Sequence, residues 1–251
     1  MGVKLGEAEK RALVDDGYLI VPGAVPRERV DAALRAINLS LGEQGIAKDR
    51  LWTLRAQSFC PELVGAPPIL DLYAGTPLAA LAEAALGAGQ VPPPITGQIA
   101  LRFPQVVAEP RNPYPHVDGM PGPLNGVEAG TLYTFSALGA VFLSDVPAPF
   151  QGNLTVWPGS HRLLEAHFRA HGTDELLQGF PALAMPPPRQ LLAQAGDVLL
   201  AHHALAHGAA ANLGPHVRYA VFFRLSHRGH DPGSTTALTD LWRHWDGLRG
   251  A

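Results

Sequence analysis

The spacing of apolar residues predicts helices in the first third of the chain. In residues 26–41, Val30, Ala33, Ile37 and Leu41 recur at intervals of three or four, which is typical of an amphipathic helix. The same kind of spacing predicts two further helices, over residues 5–16 and 68–86, with a break at residues 75–77. Between the helices, three apolar residues are expected in the core: Trp52, Leu54 and Phe59.

From about residue 95 the pattern changes to short apolar runs that are rich in β-formers and bounded by glycine or proline. Several such runs with turn signals between them predict an all-β sandwich or barrel. Together with one early run, the predicted strands cover residues 18–22, 95–103, 130–144, 153–157, 197–207 and 217–225. Residues 236–251 are expected to form a terminal helix that packs Trp242 and Trp245 inward.

These elements predict one domain over residues 1–251, mainly β with flanking helices. Residues 1–94 would give mostly helical support to one face of a double sheet. Residues 95–225 would form the β core, with a helical insert at 163–179, and residues 226–251 would form a C-terminal tail.

Composition narrows the classes of function. The chain has 27 Gly and 24 Pro among 251 residues, spread without a period, which favours a loop-rich globular fold. A net charge of −3 without a run of Lys or Arg indicates neither nucleic-acid nor membrane-surface binding. The single cysteine, Cys60, excludes an internal disulfide, is expected to be a small, partly buried apolar residue, and fits a cytoplasmic location.

The first candidate for chemistry is the run His116-Val117-Asp118. Side chains at positions i and i+2 of an extended strand point to the same face. Two histidines and one carboxylate, with the opposite face of the metal open, suit non-haem Fe(II) oxygenases. An H-x-D run is common by chance, so a surface histidine bonded to a neighbouring acid is the alternative.

Residues 196–208 offer a third ligand, because a Gly-Asp turn and a buried apolar run end there at His207. If this run forms a hairpin with residues 217–225, with the turn at 212–215, Arg218 lies across from His207. A buried arginine needs an anionic partner. That partner is either a protein acid or the far carboxylate of a small acid whose other end binds the metal.

Another histidine, His161, follows a Pro-Gly-Ser turn and opens a predicted helix. We therefore expect a structural or capping role for His161 and not metal binding.

Four motifs follow one another between residues 96 and 225. They are H-V-D at 116–118, G-N-L-T-V-W-P-G-S-H at 152–161, G-D-V-L-L at 196–200, and an H-G…N…R set at 207–218. In this order and spacing they resemble the phytanoyl-CoA dioxygenase family of Fe(II)- and 2-oxoglutarate-dependent oxygenases.

The resemblance implies a double-stranded β-helix core (a jelly roll, cupin-like) buttressed by the N-terminal helices. It implies Fe(II) held by His116, Asp118 and His207. It further implies that 2-oxoglutarate chelates the iron, forms a salt bridge with Arg218 and contacts Gln98.

The implied reaction consumes O2 and converts 2-oxoglutarate to succinate and CO2 while a small-molecule substrate is hydroxylated. The acid at Asp118 argues against a halogenase, and the lack of a basic cluster argues against an acyl-CoA substrate. Three residues are candidates for the substrate side: Arg102, Phe222 and Tyr114, the last as part of a lid. For Phe222, a plain core role is the alternative. The sequence does not indicate an oligomeric state.

Two rival functions use the same scaffold. One is a cupin-like metal enzyme that does not use 2-oxoglutarate, and Arg218 argues against it. The other is a catalytically silent binding protein, against which the intact set of ligands argues. A serine hydrolase and a nucleotide-binding protein are excluded, since neither a G-x-S-x-G elbow, a P-loop nor a G-x-G-x-x-G run after a strand is found.

Overall fold

Two antiparallel sheets form the centre of the molecule. The computed structural model describes residues 4–249. The larger sheet has five strands in the order β1-β6-β3-β8-β2, and the smaller has three in the order β5-β4-β7. The larger sheet contains β1 (Tyr18–Val21), β2 (Gln98–Arg102), β3 (Ala137–Phe142), β6 (Val198–His202) and β8 (Arg218–Leu225). The smaller sheet contains β4 (Leu154–Val156), β5 (Arg189–Gln190) and β7 (His207–Ala209).

Alternation along the strands of the larger sheet separates two hydrophobic clusters. In β8, Ala220 and Phe222 pack toward Leu154 of the smaller sheet, whereas Val221 and Phe223 join the cluster under the helices. Both faces of the larger sheet pack against apolar side chains, which explains the apolar runs within its strands.

Short helices surround the sheets. They are α1 (Glu7–Arg11), which continues into a π-helical turn (Ala12–Asp16), α2 (Arg27–Gln44), α3 (Leu51–Ala56), α4 (Pro67–Leu70), α5 (Pro77–Leu86), α6 (Ser160–His171) and α7 (Thr236–Thr239). The predicted face of α2 is the buried one, with Val30, Ala33 and Ile37 fully enclosed. None of the helices within residues 4–249 is both long and apolar enough to cross a lipid bilayer. The predicted class, mainly β with flanking helices, is confirmed.

The predicted strand over residues 197–207 is wrong in its second half. The extended run ends at His202, where the Leu205 amide donates to the His202 carbonyl at 3.0 Å and the Ala204 amide donates to His202 Nδ1 at 3.0 Å. The chain then turns and re-enters the smaller sheet as β7, which pairs with β4. The hairpin that was to place Arg218 opposite His207 is therefore wrong, because β8 pairs with β2 and β3.

Three other expectations also need correction. The strand predicted over residues 130–144 is limited to Ala137–Phe142. The terminal helix is reduced to α7 and a 3-10 turn (Asp246–Leu248), although Trp245 is buried as expected; residues 250–251 of that prediction lie outside the described part. Trp52 is 64% exposed and not in the core, while Phe59 and Cys60 are buried.

Candidate active site

A cavity of about 960 Å³ lies between the two sheets. Strands β2 and β8 of the larger sheet and β7 of the smaller one contribute side chains to its wall, and the loop over residues 116–127 contributes another part. Four polar residues of the sequence motifs therefore line one cavity: His116, Asp118, His207 and Arg218.

His116 and His207 come together through a two-residue antiparallel bridge. The His116 amide donates to the His207 carbonyl at 3.0 Å, and the His207 amide donates to the His116 carbonyl at 2.9 Å. Since His207 also pairs with Val156 of β4, the His116 segment extends the smaller sheet by one pair. The centroids of the two imidazoles lie 4.5 Å apart.

Asp118 completes a set of three metal-ligand side chains. Its Oδ1 lies 3.7 Å from His116 Nε2 and 3.5 Å from His207 Nε2. One ligand atom from each residue lies within 4.8 Å of the others. Because adjacent ligands of an octahedral ion with bonds of about 2.1 Å lie about 3 Å apart, these donors fit one face of a divalent metal after a small inward movement.

Hydrogen bonds orient the three side chains. His207 Nδ1 lies 3.0 Å from the Leu205 carbonyl, so Nδ1 donates to this carbonyl and Nε2 is directed at Asp118. His203 Nε2 contacts the Asp118 carbonyl at 3.0 Å. Gly119 follows at φ +88°, and a Cβ there would lie 1.6 Å from the Tyr133 carbonyl oxygen, so this loop requires glycine directly after Asp118.

Asp118 carries its charge in the folded protein. Burial raises its pKa, but Arg224 and both histidines outweigh burial and bring the pKa well below the ordinary value. Arg224 Nη2 lies 2.8 Å from Asp118 Oδ2, and it also donates to Gln98 Oε1 at 3.0 Å. One carboxylate oxygen is thus held by arginine, and the other faces the two histidines.

The two histidines differ in electrostatic environment. The ring of His116 opens into the cavity, yet the surrounding protein and neighbouring His207 lower its pKa. Burial lowers the pKa of His207 as well, but the hydrogen bond and charge of Asp118 raise it above the ordinary value. A metal ion that binds here would replace the proton shared between His207 and Asp118.

Arg218 reaches the same cavity from the opposite sheet and is only 3% exposed. Its Nε donates to the Gly152 carbonyl at 2.8 Å, and its Nη1 donates to the Ala100 carbonyl at 3.0 Å. Gly152 has φ +75°, and a Cβ there would lie 2.8 Å from Arg102 Cβ and 3.1 Å from Arg218 Cβ, so glycine permits this close approach.

Among residues 4–249 no acid contacts Arg218. Burial, and then the charge of Arg102, lower the pKa of Arg218 well below its ordinary value, and no carboxylate within residues 4–249 compensates. Of the two alternatives from the sequence, a salt bridge to a protein acid is therefore wrong for the described chain. A buried guanidinium with free N–H groups facing a cavity is instead suited to a carboxylate that enters with a ligand.

The other predicted residues lie in different places. Gln98, Arg102 and Phe222 line the cavity, and Phe222 also packs in the cluster between the sheets. Tyr114 is 92% exposed and is not among the residues that line the cavity, so the structure does not bring it to the site. His161 is fully buried outside the cavity, with Nε2 3.1 Å from the Val14 carbonyl.

Two features of the site were missed in the sequence. Arg224, which contacts Asp118, stands on the same face of β8 as Arg218, and alternation along that strand was the available signal. Arg55 and Trp52 of α3 also line the cavity. They lie in a segment where the spacing of apolar residues suggested core packing and gave no indication of a site.

Two antiparallel sheets of a cupin-like jelly roll, with two histidines and a carboxylate gathered between them, define the class of non-haem metal oxygenases. The model of the family Phytanoyl-CoA dioxygenase (PhyH) matches residues 107–220, which include the three metal-ligand residues and Arg218. The match confirms the resemblance seen in the motifs to this family of Fe(II)- and 2-oxoglutarate-dependent oxygenases.

Several solved structures share the fold of this chain. HygX from Streptomyces hygroscopicus, with nickel and 2-oxoglutarate bound, is 19% identical, with 92% of this chain and 90% of that chain covered and a TM-score of 0.58. From nogalamycin biosynthesis, the non-haem alpha-ketoglutarate-dependent carbocyclase SnoK is 22% identical (92% and 93% covered, TM-score 0.57). The epimerase SnoN from the same biosynthesis is 24% identical (94% and 86% covered, TM-score 0.58). HygX is also known with hygromycin B bound. A search of curated proteins found no match. The cupin-like fold predicted from the motifs is confirmed.

Proposed function

We propose that this protein is an Fe(II)- and 2-oxoglutarate-dependent dioxygenase that hydroxylates a small molecule with release of succinate and CO2. His116, Asp118 and His207 would hold the iron, and Arg218 would bind the far carboxylate of 2-oxoglutarate. One observation carries the proposal: a set of three metal-ligand side chains and a buried arginine without an acid line one cavity.

The donor set fits the metal. Imidazole and carboxylate together suit Fe(II), and three protein ligands on one face leave room for 2-oxoglutarate and O2. Arg224 keeps Asp118 ionised and oriented, and the Leu205 carbonyl keeps the Nε2 lone pair of His207 available. When bound, the iron and its cosubstrates supply the oxidising power, and the protein supplies position and charge.

Arg218 fits the proposed cosubstrate. A guanidinium has five N–H donors, and the Gly152 and Ala100 carbonyls each occupy one of them. The remaining donors suit a carboxylate in the two-bond geometry that arginine favours. Gln98 is a second proposed contact, although its Oε1 already accepts from Arg224. A cupin-like enzyme without 2-oxoglutarate would leave this buried charge without a partner.

The reaction outcome needs its own test, because the fold serves several outcomes. SnoK is a carbocyclase and SnoN is an epimerase. The carboxylate at Asp118 argues against halogenation, and among the remaining outcomes we propose hydroxylation. A product heavier than its substrate by one oxygen atom would support hydroxylation. A product of the same mass as the substrate, or with two hydrogens fewer, would contradict it.

The central experiment is an anaerobic visible spectrum of the protein with Fe(II), recorded before and after 2-oxoglutarate is added. We expect a charge-transfer band only when both are present. Asp118→Ala should lose the band and the conversion of 2-oxoglutarate to succinate. His161→Ala, a histidine substitution outside the cavity, is the matched control and should retain both. A wild-type band in Asp118→Ala, or selective loss of iron from folded His161→Ala, would contradict the assignment of the ligands.

A further inference from the structure

Besides Arg218 and Arg224, two further arginines line the cavity. Arg55 projects from α3 and Arg102 from β2, next to Arg218 on the neighbouring strand. Burial, and then the positive charge of Arg55, together lower the pKa of Arg102 to about 10. The two guanidinium groups are therefore close enough to repel each other.

Within the described chain, neither guanidinium has an acidic partner that offsets its burial. The amide of Gln105, turned so that its oxygen faces Arg55, accepts from Nη2 at 2.8 Å and Nη1 at 3.2 Å. Arg55 Nε is buried and has no hydrogen-bond partner among residues 4–249. Arg102 Nη1 donates to the Leu101 carbonyl at 3.0 Å. A repelling, partly unsatisfied pair of cations is costly unless a ligand brings negative charge.

The charge of the whole cavity points in the same direction. Its wall contains four arginines, and among residues 4–249 the one acid that lines it is Asp118, which Arg224 already contacts. A bound divalent metal and the two negative charges of 2-oxoglutarate would cancel each other. The cavity would then still hold more positive than negative charge for the organic substrate.

We propose that Arg55 and Arg102 form an anion-binding subsite for the substrate, which is a small organic molecule carrying a carboxylate or a phosphate ester. This inference rests on the proposed function of the same cavity. Arg218 would be occupied by 2-oxoglutarate, so the second pair is the part of the wall left for a second anion.

The surface beside the subsite suits a flat apolar group. Trp52 is 64% exposed, and Arg55 Cζ lies 4.9 Å from the centroid of its ring. Leu124 and Tyr133, which are 40% and 47% exposed, line the same cavity. An anionic substrate with a planar ring would place its charge on the arginines and its ring against these side chains.

The test uses aromatic probes of equal shape and different charge. The full-length protein is loaded with Ni(II) and saturating 2-oxoglutarate, and the binding of 2-naphthoate, 2-naphthyl phosphate and neutral 2-naphthamide is measured by calorimetry. We expect at least one of the two anions to bind at least about tenfold more tightly than the amide, since charge-assisted contacts to arginine are the stronger ones. Whichever anion binds better identifies the favoured group.

Three variants locate the subsite. Arg55→Gln and Arg102→Gln should each remove most of the preference for anions, and Arg55→Lys should retain part of it. Arg35→Gln, an exposed arginine on α2 outside the cavity, is the control and should retain all of it. Melting temperatures show that each variant is folded.

Several results would overturn the inference. They are an amide that binds as well as the anions, anions that do not bind, a preference that survives both glutamine substitutions, or a probe that displaces 2-oxoglutarate and so occupies Arg218. The proposed function fails differently. In that case the Fe(II) and 2-oxoglutarate band does not form, while the preference for anions and its loss in Arg55→Gln persist.

Discussion

Replacement of Arg218 by methionine tests whether this residue binds the far carboxylate of 2-oxoglutarate. Methionine is shorter but keeps an unbranched, flexible side chain, and it removes the charge and every N–H donor. The guanidinium donates to the Gly152 and Ala100 carbonyls through Nε and Nη1. A carboxylate in the cavity would therefore contact the remaining N–H groups. Since hydrogen bonds to charged groups contribute about 1.5–3 kcal/mol each, loss of two would weaken 2-oxoglutarate binding by about 3 kcal/mol or more.

That free energy corresponds to a dissociation constant for 2-oxoglutarate that is at least about 100-fold higher. Arg218→Lys keeps the charge but cannot form the paired contacts, so we expect an increase of about tenfold. The assay is an anaerobic titration of the Fe(II)-loaded protein with 2-oxoglutarate, followed through the charge-transfer band.

Two measurements keep this prediction specific. Iron affinity, titrated without 2-oxoglutarate, should change little, because Arg218 does not contact the three metal-ligand residues. Stability should fall, because two carbonyls lose their donors, so the titration is run below the melting temperature of the variant. Arg35→Met is the control. A dissociation constant for 2-oxoglutarate within about threefold of wild type in Arg218→Met would refute the proposed role of Arg218.

Three further predictions concern groups around the site. Arg224→Met frees one oxygen of Asp118 and should weaken iron binding by about tenfold or more in a metal titration, as expected for a residue that orients a ligand. Gly119→Ala forces a Cβ against the Tyr133 carbonyl, so we expect a lower melting temperature together with weaker iron binding. Burial lowers the pKa of His161 from 6.5 to about 4, so the folded state loses stability as the pH falls from about 6.5 to about 4, by on the order of 3 kcal/mol. In His161→Gln, urea unfolding should show a smaller loss over the same pH range.

Each of these predictions has a clear contrary result. Unchanged iron affinity in folded Arg224→Met would mean that Asp118 is oriented without it. A Gly119→Ala variant with wild-type melting and iron binding would show that the loop tolerates a side chain there. Stability falls with falling pH because the unfolded chain binds the His161 proton more tightly than the folded chain does. Equal slopes of stability against pH in wild type and His161→Gln would show that this histidine is not the cause. His202, whose pKa burial also lowers, would leave part of the slope in either case.

The sequence by itself determined the class of fold and the chemical set of the site. Apolar spacing predicted α2, the break before α5 and most strands of the larger sheet, because burial on one or both faces leaves a period that local sequence records. The motifs supplied His116, Asp118, His207 and Arg218, since metal and carboxylate chemistry restricts the residue types that can serve.

Only the tertiary structure decided how these residues meet. The sequence pattern predicts His207 and Arg218 on one hairpin, whereas His207 lies in the smaller sheet beside His116 and Arg218 lies in the larger sheet beside Arg102. The turn after His202 that separates them depends on hydrogen bonds made by the His202 side chain and backbone, which apolar spacing does not record. The contact of Arg224 with Asp118 and the exposure of Trp52 at the cavity likewise arise between segments far apart in sequence. Such contacts depend on how the sheets and helices pack against each other, and no local pattern along the chain contains that information.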